Sequence, residues 1–250
     1  MRALILSDIH ANLDALDAVL AAAPQHDTVW NLGDTVGYGA NPNEVIERVR
    51  SLGEVCVRGN HDRACCGLDS LLDFNPIAAR AALWTRTTLT PEHTEWLSLL
   101  SEGPVLCDGP EVSCVHGSVL DEDQYVMTLR DAWLPLQEAP TRITFFGHTH
   151  VQGGFAANSE EWFKLEPRYH GGSEPEEYEL PLRQGLRYLL NPGAVGQPRD
   201  YDWRAAFAIY DSDLKTVTFH RVPYDVHMAQ QRILRAGLPD RLASRLREGR

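Results

Sequence analysis

The chain has 250 residues, 43% of them apolar and 23% charged, enough to bury one large core, so a single domain over 1–250 is expected rather than two small ones. A formal net charge of −12 argues against a broad nucleic-acid surface or an anionic membrane as partner. No stretch approaches the ~18 apolar residues of a membrane span, and no basic-then-apolar signal region opens the chain. The five cysteines lack paired C-x-x-C spacing, so a cytoplasmic protein with reduced thiols is expected, vicinal Cys65 and Cys66 included.

The apolar run Ala3–Leu6 reads as a strand, Leu13–Ala23 as a helix, Thr28–Leu32 as a strand, Pro42–Leu52 as a helix capped by Asn41, and Val55–Val57 as a strand. Such alternation predicts βαβ units around a buried, largely parallel sheet. Two helices are expected over Asn75–Leu89 and Pro91–Leu100, the second capped by Thr90. From Val105 short strands take over, closing with Ala205–Tyr210 and Thr216–Val222, and the turns between them suit an antiparallel second sheet. Residues 158–184, rich in glutamate and broken by proline and glycine, read as a long hairpin excursion or a mobile loop. In the tail, Ile233, Leu234, Leu238, Leu242 and Leu246 recur at helical spacing, predicting a packed amphipathic helix pair from about 224. The expected fold class is α/β (α+β), a two-sheet mixed β-sandwich flanked by helices.

Polar islands follow six of the strand-like runs: Asp8-Ile9-His10, Gly33-Asp34, Gly59-Asn60-His61-Asp62, His116-Gly117, Gly147-His148-Thr149-His150 and Asn191-Pro192-Gly193. Polar atoms are thereby gathered at one end of a buried sheet, as a metal site requires. On an extended strand end alternate side chains face the same way, so Asp8 with His10, and His148 with His150, are expected to point into one pocket. Carboxylate oxygen and imidazole nitrogen together suit Mn, Fe, Zn, Ni or Co better than Ca or Mg, and the lack of a cysteine ligand argues against a structural zinc cage. His26, His93, His170, His220 and His227 lie outside every island and are expected to pack or face solvent.

The ordered series D-x-H, G-D, G-N-H-D, H-G, G-H-T-H closely resembles the calcineurin-like metallophosphoesterase superfamily, from Asp8 to about Arg199. The resemblance implies a four-layer metallophosphoesterase-like sandwich. It implies a first metal on Asp8, His10, Asp34 and His150, a second on Asp34, Asn60, His116 and His148, and Asp34 as the bridge. The chemistry it implies is hydrolysis of a phosphodiester or phosphomonoester: two divalent ions about 3.5 to 4 Å apart lower the pKa of a shared water toward about 7, and the dimetal-bridging hydroxide attacks in line. His61 would protonate the leaving oxygen or stabilise the transition state, which suits a near-neutral imidazole. The catalytic set so implied is His61, Asp34 and Asn60. Asp62 is open to two roles, orienting His61 or closing a turn.

Two departures narrow the resemblance. Phosphoprotein phosphatases of this superfamily carry an acidic-arginine pair after the bridging aspartate and then G-N-H-E, whereas this chain reads Gly33-Asp34-Thr35-Val36-Gly37-Tyr38-Gly39 and then Asp62. It is more similar to the small bacterial phosphodiesterase-type branch, whose members share the stretch Asn191 to Arg199. A phosphoprotein or dinucleoside-polyphosphate phosphatase is the alternative, and a non-catalytic metal-binding scaffold is a third reading. The partner expected is a small phosphoester, in a chain that forms a homodimer by the commonest default. Arg199 is a candidate substrate contact; Tyr38 and Trp203 are candidates for stacking on a base or for packing. Loops 67–75, 120–137 and 158–184 are expected to set specificity.

Overall fold

The computed structural model describes residues 1–53, 55–72 and 74–250, so Asp73 of the 67–75 loop lies outside the described residues. In chain order the strands are β1 (Arg2–Leu6), β2 (Thr28–Asn31), β3 (Val55–Cys56), β4 (Val105–Asp108), β5 (Val112–Cys114), β6 (Ile143–Phe145), β7 (Gly153–Ala157), β8 (Trp162–Leu165), β9 (Glu176–Pro181), β10 (Arg187–Asn191), β11 (Ala205–Asp211) and β12 (Thr216–Val222). The helices are α1 (Leu13–Ala22), α2 (Pro42–Arg50), α3 (Asn60–Cys65), α4 (Pro76–Thr88), α5 (Pro91–Ser98), α6 (Leu129–Glu138), α7 (Val226–Arg235) and α8 (Asp240–Glu248). No helix among the described residues is long and apolar enough to cross a membrane.

Two six-stranded mixed sheets form the sandwich, ordered β3-β2-β1-β11-β12-β9 and β4-β5-β6-β10-β7-β8. Within them β1, β2 and β3 run parallel, as do β5, β6 and β10, while the remaining pairings are antiparallel. The run Ala3–Leu6 is apolar throughout because both faces of β1 are buried. Ala3 and Ile5 meet Trp30, Phe145, Tyr188 and Tyr210 between the sheets. Leu4 and Leu6 face the opposite way, toward α1, α7 and α8. The second sheet is covered by α6, whose Ala132 and Leu136 pack on Phe146, Phe155 and Leu189.

Local chemistry starts most of these helices. Asn12 accepts from the Ala15 amide (3.2 Å) at α1, Asn75 from Ile77 and Ala78 (3.1 and 3.0 Å) at α4, and Thr90 from His93 (3.2 Å) at α5. Asn41 stands at the start of α2, but its amide donates to the Glu44 carboxylate (3.1 Å) instead of capping the backbone.

Three expectations are corrected. β11 and β12 join the first sheet, where β1 pairs with β11, so the second sheet is not purely antiparallel and is not closed by them. The 158–184 excursion is no hairpin: β8 adds to the edge of the second sheet through β7, and β9 to the edge of the first through β12. Residues 129–138 are helical, nucleated by Thr128 and Asp131, which accept from each other's backbone amides (3.3 and 2.9 Å) despite Pro135 inside the helix. The Gly59-Asn60-His61-Asp62 island opens the short helix α3.

Candidate metal centre

The loops that leave the C-terminal ends of the parallel strands meet at one edge of the sandwich. Asp8 and His10 follow β1, Asp34 follows β2, Asn60 and His61 follow β3, His116 follows β5, His148 and His150 follow β6, and Asn191 ends β10. Crevices outside the carboxyl ends of strands are where open α/β sheets bind ligands.

The side chains do not converge by strand alternation. Asp8, His10, Asp34, His148 and His150 all have left-handed backbones, with φ of 52°, 49°, 52°, 64° and 59°. These are five of the nine non-glycine residues with positive φ among the described residues. Each such residue costs about 1–3 kcal/mol and persists only where its surroundings over-determine it. Here the loops are stitched to each other: Asp8 N–H donates to Gly33 O (3.0 Å), His10 N–H to Asp34 O (2.9 Å) and Gly196 N–H to Asp8 O (3.0 Å). Asn191 clamps the His148 loop, its amide donating to Gly147 O (2.8 Å) and Thr149 Oγ1 (3.0 Å). Gly59 passes so close to Asp34 that a Cβ would sit 2.1 Å from Asp34 Oδ1.

Two donor groups result, each with ligand atoms within 4.8 Å of one another: Asp8, His10, Asp34 and His150, and Asp34, His116 and His148. All are buried, and Asp34 is common to both. Asn60 joins the second group, its Oδ1 lying 3.3 Å from His116 Nε2. Asp34 Oδ2 lies 3.6 Å from His10 Nε2 and 3.5 Å from His116 Nε2, and Asp8 Oδ1 lies 3.3 Å from His150 Nε2.

Tautomers test whether these residues fit cations. His10 Nδ1, His150 Nδ1, His116 Nδ1 and His148 Nε2 face the carbonyls of Val36 (3.1 Å), Gln197 (2.6 Å), Leu32 (2.8 Å) and Asp123 (3.1 Å). A carbonyl only accepts, so each of those nitrogens carries the proton. The remaining nitrogens, free of backbone partners, face each other: His10 Nε2 and His150 Nε2 across 3.1 Å, and His116 Nε2 and His148 Nδ1 across 3.2 Å. Burial lowers His10, His148 and His150, keeping these imidazoles neutral. Burial would lower His116 too, but the facing charges of Asp34 and Asp8 raise it to about 10, so the pocket calls for positive charge between the carboxylates. Imidazoles oriented by backbone carbonyls, together with buried carboxylates that call for positive charge between them, make a donor set that fits a pair of divalent cations.

His61 stands beside this set. Its amide donates to Asp34 Oδ1 (2.8 Å), and its buried Nδ1 has no hydrogen-bond partner. The ring packs against Tyr38 (4.3 Å), His10 (4.9 Å) and Phe74 (5.0 Å). Burial pulls it down to about 4, well below the near-neutral value expected from sequence. Asp62 accepts from the amides of Gly59 and Val36 (both 3.1 Å), so it holds the turn.

A cleft of about 250 Å³ opens over the centre, lined by Tyr38, Asn60, His61, Arg63, Tyr125 and His148 among others. Arg63 and Tyr125 were not singled out from sequence. Arg63 lies three residues after Asn60 on α3, on the same helix face, and that spacing is a signal that finds it; nothing in the sequence marks Tyr125. Tyr38 is packed into the site wall, whereas Trp203 packs on Tyr224 (6.0 Å). His26, His93, His170, His220 and His227 take no part in either donor group.

Comparison with known proteins agrees with this geometry. Residues 1–215 match the model of the calcineurin-like phosphoesterase superfamily domain. An uncharacterised protein of Methanocaldococcus jannaschii is 35% identical over 98% of this chain and 97% of its own length. A symmetrical bis(5'-nucleosyl)-tetraphosphatase of Yersinia enterocolitica is 35% identical, over 42% of this chain and 37% of its own. Among solved structures, a metallophosphoesterase from Sphaerobacter thermophilus is 42% identical and superposes over 100% of this chain and 99% of its own with a TM-score of 0.83. A hypothetical protein of Pyrococcus horikoshii, 19% identical over 100% of this chain and 98% of its own, shares the fold with a TM-score of 0.78. The chain belongs to the calcineurin-like phosphoesterase superfamily.

Proposed function

We propose that the chain, acting as one domain over 1–250, hydrolyses a small phosphomonoester or phosphodiester. Asp8, His10, Asp34 and His150 would hold one divalent cation, and Asp34, Asn60, His116 and His148 a second, with Asp34 between them. The observation that carries this reading is the two pairs of facing imidazole nitrogens at 3.1 and 3.2 Å, set against shared Asp34. When bound, such a cation pair supplies a water of lowered pKa and a Lewis-acid grip on phosphoryl oxygens.

The protein's own groups supply the rest. Backbone carbonyls fix the ring orientations of the four ligand imidazoles, and the His61 amide, donating to Asp34 Oδ1, keeps that carboxylate aimed between the two groups. His61, kept neutral by burial, offers its ring N–H to the oxygen that takes on charge as the ester bond breaks, so it acts as a hydrogen-bond donor rather than as a resident cation. Tyr38, Phe74 and Tyr125 narrow the cleft and displace water around the ester. The five free thiols favour a reducing, cytoplasmic setting. Dinucleoside polyphosphates form a second substrate reading, favoured by the local similarity to the Yersinia tetraphosphatase.

Metal-stripped protein assayed on p-nitrophenyl phosphate and bis-(p-nitrophenyl) phosphate, with Mn, Ni, Co, Zn and Mg titrated back, tests the reading. Activity restored by metal and lost in His148→Ala supports it. A metal-replete His148→Ala variant as active as the parent would sink it.

A further inference from the structure

The two carboxylates of the centre divide their oxygens in the same way. Asp34 Oδ1 accepts from the His61 amide (2.8 Å), leaving Oδ2 toward His10 Nε2 (3.6 Å) and His116 Nε2 (3.5 Å). On Asp8 the held oxygen is Oδ2, which accepts from the Ser7 hydroxyl (2.8 Å) and from the His148 amide (3.1 Å). Asp8 Oδ1 faces His150 Nε2 (3.3 Å), with only a longer contact from the same His148 amide (3.3 Å). Apart from the imidazoles, the one side-chain donor to either carboxylate among the described residues is therefore Ser7.

Ser7 follows β1 directly and is fully buried. Its carbonyl accepts from the Val195 amide (3.0 Å), which fixes the backbone behind the hydroxyl. The hydroxyl finds no second partner among the described residues, and against an ionised carboxylate it can only donate. The Gly147 backbone closes the remaining space: a Cβ there would lie 2.0 Å from Ser7 Oγ and 3.0 Å from Asp8 Oδ2. A hydroxyl so confined has its direction set before any cation arrives. Its bond to a charged oxygen is about twice as strong as one between neutral groups, which suits it to keep Oδ2 from turning toward the imidazoles.

We infer that Ser7 is a positioning residue that holds Oδ2 of Asp8 and so presents Oδ1 alone to the donor group of Asp8, His10, Asp34 and His150. The inference rests on the two-cation reading and deepens it, by placing a hydroxyl behind one cation and not behind the other. Hydrogen bonds that orient a ligand from behind are worth about 10- to 100-fold in metal affinity. Asp8 belongs to the first donor group only, so the loss of the hydroxyl falls on one of the two equivalents.

The test is calorimetric titration of metal-stripped full chain with Mn, for the parent, Ser7→Ala and His150→Ala, with melting curves of the stripped proteins to establish folding. His150→Ala identifies which of the two equivalents belongs to the first group. Ser7→Ala should weaken that equivalent relative to the other, moving the ratio of the two dissociation constants by about tenfold or more, whereas general loosening of the fold would weaken both alike. Should Ser7→Ala not fold, the crystal structure of the Mn-loaded parent decides, with Ser7 Oγ expected on Asp8 Oδ2 and the metal on Oδ1. A smaller change in the ratio, or a loaded parent in which Asp8 gives the metal Oδ2 or both oxygens, would overturn the role of Ser7 and leave the two-cation reading standing. A parent that takes up fewer than two ions per chain would overturn both.

Discussion

The floor of the site and its rim are built on different principles. Floor residues are placed by backbone: left-handed residues on three loops, cross-stitched to their neighbours by amide-to-carbonyl bonds, leave Asp8, Asp34 and the four imidazoles little room to move. The rim is placed by side-chain charge. Arg63 pairs with Asp69 (2.9 Å), Asp123 (2.7 Å) and Glu122, and Tyr125, 49% exposed, lies with its ring 4.0 Å from that of His148. A floor set by backbone tolerates almost no substitution, whereas a rim set by screened ion pairs can vary without disturbing the chemistry.

The largest expected effect comes from breaking the floor at its shared member. Asp34→Asn removes the one carboxylate common to both donor groups, and kcat should drop about 10³-fold; a loss under about tenfold by steady-state assay would contradict its bridging place. His61→Ala should lower kcat about 10²-fold while metal analysis of the variant still finds the parent's content, because His61 belongs to neither donor group. Next is the clamp behind the ligands: Asn191→Ala frees the His148 loop and should weaken metal binding about 10- to 100-fold by calorimetry. The smallest effect belongs to the rim. Arg63→Gln should raise KM about threefold and leave metal affinity unchanged, so an equal fall in metal affinity would erase the distinction between rim and floor.

The same division decides how much was legible in the sequence. Ligand positions could be read because polar residues punctuate apolar runs at strand ends, and the parallel order of β1, β2 and β3 follows from the helices between them. The reason the ligands converge was misread, since the sequence does not reveal that Asp8, His10, His148 and His150 leave extended geometry. Helix α6 was hidden by Pro135 and by the exposed Trp133 and Leu134, which blur its apolar stripe. Strands β8 and β9 could not be assigned to opposite sheets because their alternation is weak and their partners, β7 and β12, lie on either side of them in the chain.

One titration bears most directly on the two-cation floor: activity on p-nitrophenyl phosphate measured against bound metal per chain, from stripped protein upward. A shared Asp34 with donor groups on both sides predicts that turnover stays low through the first equivalent and reaches its plateau at two. Full turnover at one equivalent, or in stripped protein, would contradict it.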